Sequence, residues 1–330
     1  MAVVETLEIL MPGPLTTVQD LGRHGFGRYG VPPSGALDAF STRIANLLVE
    51  NDEGEAALEI TLMGLKARAL TEVAVAVTGG DLQPRVNGEP LEMWRSRVLK
   101  PGDTLFFKGV RSGCRACLAV GGGIAADPVL GSKSTNLSSG FGGLEGRPLK
   151  KGDRLLSLSP HLHLHSPARS LREEWIPRYG RDWLVRVLPG PQHGDFPVAV
   201  RRLFVEAEFT VTSQADRTGI RMSGPPIVRR DGLPESIISE GVVPGAIQVP
   251  GDAQPIIILT ETVTGGYRKI ATVISADLPL LAQMRPGDRV RFREVSMDQA
   301  AEALRGAEMI IDSVRNNPSI SRMAAGPSSP

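Results

Sequence analysis

The chain of 330 residues carries 37 Lys and Arg against 36 Asp and Glu, and 41% of its residues are hydrophobic. That length suits two domains of ~100–200 residues in a composition far from the disordered regime, and the near-neutral balance excludes the basic stripe of a nucleic-acid binder. No run approaches the ~18 apolar residues of a membrane span, and residues 1–14, with Glu5 and Glu8 and no basic start, do not read as a signal peptide. The expectation is a cytoplasmic protein with no nucleic-acid or membrane partner.

Thirty-seven glycines and 26 prolines against 5% aromatics favour many short strands joined by tight turns. Residues 3–10 read as a first strand, followed by the turn Pro12-Gly13-Pro14 and a polar loop over 16–25. Leu37, Phe40, Ile44, Leu47 and Leu48 fall at helical spacing; Ser34 stands where the N-cap would, and Asp38 near the first turn, where the helix dipole favours a carboxylate. Strands are expected over 57–62, 66–70 and 73–78, and Val86-Asn87-Gly88-Glu89 carries a hairpin signal. Lys100-Pro101-Gly102-Asp103, Lys150-Lys151-Gly152-Asp153 and Arg285-Pro286-Gly287-Asp288 repeat one turn, each ahead of an alternating or apolar run. They read as corresponding barrel strands in different parts of the chain.

Pro160, Pro167 and Pro177 interrupt the pattern before a clean strand at 184–188. The expected division is therefore a first domain over 1–156, a linker region over 157–183 and a second domain over 184–316. Pro255-Ile256-Ile257-Ile258-Leu259 reads as a strand buried on both faces, with chemistry-capable side chains in the loops at its two ends. The phrase Gly241-Val242-Val243-Pro244-Gly245-Ala246 echoes Gly30-Val31-Pro32-Pro33-Ser34-Gly35-Ala36 and points to two related halves. Asp277 ahead of Leu278-Pro279 reads as the N-cap of a short helix. Ser296-Met297-Asp298-Gln299 reads as a capping box opening a last helix to about residue 314, and the Ser-, Pro- and Gly-rich residues 317–330 as a mobile tail.

Four motifs invite chemistry. Cys114 and Cys117 sit three apart on an expected strand, pointing to opposite faces, and read as reduced structural thiols. Gly131-Ser132-Lys133-Ser134-Thr135 misses the spacing of a phosphate loop, because Ser132 separates Gly131 from Lys133 and Ala126 stands where another glycine is required. His161, His163 and His165 share one strand face at ~7 Å intervals, too far apart for one ion, so no metal is expected there. Arg217 and Arg221 flank Gly219 close to Asp216; their guanidinium forks suit a substrate carboxylate, or an internal ion pair bracing the loop.

Thr17-Val18-Gln19-Asp20-Leu21-Gly22-Arg23, the Gly30 to Asp38 segment, Ala45-Asn46, Gly131-Ser132-x-Ser134-Thr135, Asp216-Arg217-x-Gly219, Gly245-Ala246-x-Gln248-Val249-Pro250 and Gly265-Gly266-Tyr267 follow one another in this order. The set resembles the carboxyltransferase-like family of the allophanate hydrolase subunit 2 type, whose stand-alone members include the C component of 5-oxoprolinase. The chain departs from the family pattern at Glu50, Cys117, Thr218, residues 260–263 and Arg268. The resemblance implies a mainly β fold of tandem cyclophilin-like β-barrel domains with a few short helices.

In function it implies one component of an ATP-dependent 5-oxoprolinase that opens 5-oxoproline to L-glutamate, acting with A-like and B-like 5-oxoprolinase partners and holding no cofactor of its own. Two other readings stay open: a biotin-dependent carboxyltransferase of the urea or allophanate type, and a non-catalytic antagonist of a kinase-inhibitor partner. None of the nine methionines adjoins a lysine, so biotin would come on a separate carrier. The expected site is a cleft between residues 19–38 and 216–267. In it Asp38 is the general-base candidate, with helix stabilisation as its rival role. Gln248 and Tyr267 would bond the amide or urea-like group, Arg217 or Arg221 a carboxylate, and Gln19, Arg23, Ser34 and Thr264 the rest of the substrate.

Overall fold

A computed structural model describes residues 3–158, 160 and 168–316. His161, His163 and His165 and the tail over 317–330 lie outside the described residues.

The first half is two antiparallel sheets. One runs in the order Arg154–Leu158, Val3–Pro12, Leu65–Ala69, Thr104–Phe107, Pro84–Val86, Glu89–Pro90; the other in the order Leu15–Gln19, Ala57–Thr61, Ser112–Val120, Val73–Asp81, Ser96–Leu99. Leu7, Ile9 and Leu105 of the first pack on Val18, Ile60, Val75 and Leu118 of the second to form one core. The second half closes into a seven-stranded barrel: Asp182–Pro189, Arg268–Val273, Ala246–Val249, Ile256–Ile258, Gly219–Ser223, Glu208–Ala215, Arg289–Glu294. Its closing pair is parallel, Trp183 facing Val290 and Val185 facing Phe292. The mainly β class expected from the sequence is therefore present, with one seven-stranded barrel closed.

The repeated turn works by one device. Asp103, Asp153 and Asp288 each turn a carboxylate back onto the backbone N–H three residues earlier, at Lys100, Lys150 and Arg285, with the intervening glycine left-handed. Val86 and Glu89 pair across Asn87 and Gly88, whose φ values of 54° and 91° are those of the hairpin turn Asn-Gly prefers. The Ser296–Gln299 capping box forms reciprocally, at 2.9 and 3.2 Å, and opens a helix at Met297–Asn316.

Three local expectations change. Leu15–Gln19 is a strand rather than loop, because its polar side chains find internal partners such as Thr135 and Pro12. The helix Ala39–Leu48 is capped by Asp38, which accepts from Ser41 N at 2.9 Å, while Ser34 sits four residues ahead in the left-handed region at φ 53°. Asp277 precedes the short helix Leu278–Leu281 as expected, but its carboxylate holds the Arg186 backbone and guanidinium instead of the helix N–H groups. Cys114 and Cys117 are buried free thiols, as expected; burial raises both, Cys117 to about 12.

Two contacts lock the halves together. The last helix returns to the first half, setting Ile311 and Val314 against Ile44, Leu48 and Ala119, with Arg43 paired to Glu308 at 2.6 Å. Gln283, at the end of the barrel's short helix, accepts from Cys114 N and Arg115 N and donates to Arg115 O and Asp38 Oδ2. Gly80 and Gly113 make room for it, since a Cβ at either would come within 2.8 Å of Gln283 Oε1. Asp38 is thus a cap and an interdomain tie at once, with Ser41 Oγ and Tyr179 OH also on its Oδ2.

Asp38→Ala is expected to cost about 1–3 kcal/mol in urea unfolding, the sum of a lost cap and a lost buried bond. Burial also raises the Asp38 carboxyl above its ordinary value, against the Ser41 and Gln283 hydrogen bonds. Its contribution is then complete below the unfolded pKa of ~3.9 and is lost as pH rises through the higher folded value. The always-neutral Asp38→Asn should therefore gain stability relative to the native chain as pH rises from ~4 to ~7; a constant difference would refute this.

Candidate functional site

Arg217 enters the seam between the halves from the turn before Gly219–Ser223, its side chain 4% exposed. Its Nη1 donates to Glu59 of the first half, Nε and Nη2 reach Glu261 Oε1 at 3.2 Å each, and Nη2 also donates to Gly35 O at 2.6 Å. Glu59 is a charge in the otherwise apolar middle of the strand Ala57–Thr61, and it also accepts from Leu37 N. One guanidinium thus holds a carboxylate from each half.

Beside this ion pair stands Ser34. The turn that carries it is packed so closely that a Cβ on Gly35 would meet Gly22 N at 2.8 Å. Ser34 N donates across the seam to Thr260 O at 3.0 Å, which helps to hold its left-handed backbone in place; for a non-glycine residue that conformation costs about 1–3 kcal/mol. Its hydroxyl accepts from Asn136 Nδ2 at 3.0 Å and faces Glu261 Oε2 at 3.5 Å. Burial raises the Glu261 carboxyl, with Arg217 working against the rise. The result is a hydroxyl between an amide donor and a carboxylate of elevated basicity, the arrangement that moves a proton.

The glycine-rich lobe builds the neighbouring wall. Asp20 gathers Ser132 Oγ, Ser134 Oγ, Lys133 N and Gly22 N on its carboxylate. Lys133 Nζ pairs with Glu55 at 2.8 Å, so the serines and lysine of the phosphate-loop-like motif are committed internally. Arg23 donates to Ser134 O and lies over the Phe141 ring, and Gln19 reaches Thr135 O. Arg23 Nη1, Gln19 Oε1 and Thr260 Oγ1 are buried without a partner among the described residues. On the other side of this wall, Val129, Lys133 and Phe141–Gly143 line an open groove of about 820 Å³.

The expected cleft is therefore partly assembled. Ser34 and Arg217 meet at the seam, while Gln19 and Arg23 belong to the adjoining glycine-rich wall. Gln248, Thr264 and Tyr267 form a second group at the far end of the 260–267 segment, where Thr264–Gly265 pairs with Glu240–Gly241. Asp38 belongs to the Gln283 tie, with both oxygens engaged, so its capping role replaces the general-base role expected of it. Arg217 is consumed by Glu59 and Glu261 and is not open to a substrate carboxylate, and Arg221 lies exposed on the barrel wall, apart from both groups.

A family model, carboxyltransferase domain subdomain A and B, matches residues 29–294. The chain belongs to this carboxyltransferase A and B family. Within it, the C component of 5-oxoprolinase from Escherichia coli (strain K12) is 38% identical over 303 residues, covering 90% of this chain and 94% of that protein. The counterpart of the same name from Haemophilus influenzae is 34% identical and covers 94% and 97%. Among solved structures, the Kluyveromyces lactis urea carboxylase superposes with a TM-score of 0.88 at 33% identity, over 96% of this chain but 30% of that longer one.

Glu261, Asn136 and Glu59 are the carboxyltransferase-fold residues that sequence reasoning left outside the site. Glu59 carried a signal, since a carboxylate between Leu58 and Ile60 must be buried and paired. Glu261 stands in the sequence only as one of the chemistry-capable side chains flanking Pro255–Leu259, and the closing of the seam sets it by Ser34. Asn136 carried no signal, because it meets Ser34 across 102 residues of the same half. Removing Arg217 leaves buried Glu261 without its counter-ion and Glu59 with only Arg115 at 3.7 Å, and Arg217→Met is expected to cost about 3–5 kcal/mol. Adding Glu59→Gln and Glu261→Gln should recover a large part of that loss. Urea unfolding of the single and triple variants measures both, and a loss below ~1 kcal/mol for the single would deny the pair its place.

Proposed function

We propose that this chain is the C-type component of a 5-oxoprolinase, a hydrolase assembly that opens 5-oxoproline to L-glutamate at the expense of ATP. The observation that carries the reading is the likeness to the 5-oxoprolinase C component of Escherichia coli along nearly the whole length of both chains. The A-like and B-like components of the same enzyme are its expected partners, in the cytoplasm. Ser34, Asn136 and Glu261 are all buried in this chain by itself, which supports a site that opens or is completed on assembly.

The reaction adds water to the lactam carbon, breaks the C–N bond and delivers a proton to the departing nitrogen. A lactam is a poor electrophile, and ATP supplies activation of the lactam oxygen. The residues of the seam would do the rest. Ser34 and Asn136 would hold the lactam group by hydrogen bonds, and Glu261, held by Arg217, would take the proton from the attacking water and return it to nitrogen. Arg23, whose Nη1 has no partner among the described residues, would face charge developing near the glycine-rich wall. A second reading, a component of a urea-type carboxyltransferase, is favoured by the superposition on urea carboxylase, and it would draw carboxybiotin from a separate carrier.

In the reconstituted complex, assayed well below the melting point of each variant, Glu261→Gln and Ser34→Ala are expected to lower 5-oxoproline turnover by ~10²–10⁴-fold. Ser34→Ala should leave the melting temperature little changed, whereas Glu261→Gln lowers it by taking one partner from Arg217. Because Glu261 is raised and must be ionised to act as base, turnover should climb with pH along an acid limb that begins above the ordinary carboxylate range, and Glu261→Gln should erase that limb. Near-normal turnover in both variants would reject the site. Carboxylation of urea by the complex with a biotinylated carrier, and no turnover of 5-oxoproline, would select the second reading.

A further inference from the structure

A second polar group lies on the outer wall of the barrel, remote from the Ser34 hydroxyl in the contact network. Gln248 and Lys269 face each other across adjacent strands, so their side chains share one face. Both are almost fully buried. The short ribbon formed by Glu240–Gly241 and Thr264–Gly265 covers them. Lys269 Nζ pairs with Glu240 Oε1 at 2.5 Å, and Gln192 Nε2 donates to the same oxygen at 2.7 Å. Glu240 faces Gly265 across the ribbon, and a Cβ on Gly265 would run into Gln248 Nε2. The four residues thus close a ring: Glu240, Gly265, Gln248, Lys269.

Two features separate this ring from an ordinary ion pair. Gln248 Nε2 is buried and has no acceptor among the described residues, although a buried amide donor is costly to leave unmade. The partners are also unequal: the Lys269 side chain is fixed in a barrel strand at 4% exposure, whereas Glu240 is 44% exposed on a ribbon of two-residue strands. A ribbon held by so few bonds opens at low cost. When it lifts, Lys269 Nζ and Gln192 Nε2 remain around the place the Glu240 carboxylate had occupied, with the unpaired Gln248 Nε2 on the same face beside Lys269.

We propose that Lys269, Gln192 and Gln248 form a seat for the carboxylate of a small molecule, which Glu240 fills in this conformation. The cation supplies the charge, the two amides supply direction, and Gly265 keeps the lid thin enough to close over Gln248. Glu240 is then an internal competitor, and any ligand must displace it. The seat stands on the ring alone and does not depend on which reaction the seam performs.

The test is binding to the full chain at constant ionic strength, with acetate, L-glutamate and 5-oxoproline as carboxylate probes and 2-pyrrolidinone and chloride as controls. Glu240→Gln keeps the ribbon's shape and removes the competitor, so at least one carboxylate should bind about tenfold or more tightly than to the native chain. Its melting temperature should rise with that probe and saturate, as ligand linkage requires, while the controls do nothing. Adding Lys269→Met, which buries a chain of similar length without charge, or Gln248→Leu should abolish the gain. Carboxylates that bind Glu240→Gln no better than native chain, or binding that survives Lys269→Met, would overturn the seat. A seat that takes acetate or glutamate but not 5-oxoproline would equally uphold the proposal, and the reaction at the seam is decided by the turnover assays alone.

Discussion

The fold turns on a single buried guanidinium. Arg217 is donated by the barrel, yet its carboxylates come from opposite halves, Glu59 from the first and Glu261 from the second. A buried charge is stable only with its partners in place, and Arg217 meets Glu59 only when the two halves close on each other. Arg115 adds a second cation 3.7 Å from Glu59 and donates to Ala282 O of the barrel, extending the same dependence. The halves are therefore held in one relative position by electrostatics that tolerate little slippage, with Gln283 and the returning helix Met297–Asn316 as reinforcement.

That constraint also makes the candidate chemistry. Glu261 is held by Arg217 through Oε1, leaving Oε2 toward Ser34. Ser34 is held in an unfavourable backbone conformation by a bond to Thr260 on the other side of the seam. A strained residue persists when its surroundings over-determine it, and here the surroundings span both halves. The same 260–267 segment that positions Glu261 continues into the ribbon over Lys269. Movement of that segment would reach both polar groups, because no regular element longer than two residues interrupts it.

Several local devices were legible because chemistry and structure lie close along the chain, although Ser34 and Asp277 do not cap their helices as their positions suggest. The three Gly-Asp turns, the Asn-Gly hairpin and the Ser–Gln capping box each close within three residues, and all form as read. Asp38 is by sequence the general-base candidate, with helix stabilisation as its rival role; Gln283, 245 residues away, ties its carboxylate into the joint between the halves. The polar residues 16–25 read as loop, yet Leu15–Gln19 is a strand because it pairs with Ala57–Thr61 and both Gln19 Nε2 and Val18 O find partners at Thr135, more than a hundred residues later.

Residue types at short spacing and motif order were enough for the mainly β class, the Gly-Asp turns, the Asn-Gly hairpin, the Ser296 capping box and the family. The sequence by itself also named Gln19, Arg23, Ser34, Arg217 and Gln248 as residues with polar work to do. Only the tertiary structure decided what that work is. Arg217 became an internal counter-ion once Glu59 and Glu261 closed on it, and Ser34 gained Asn136 and Glu261 as neighbours. Gln248 was set beside Lys269 by strand pairing. The physical reason is that charge and hydrogen-bond partners are chosen by distance in space, and in this fold those partners come from strands and loops far apart in the chain.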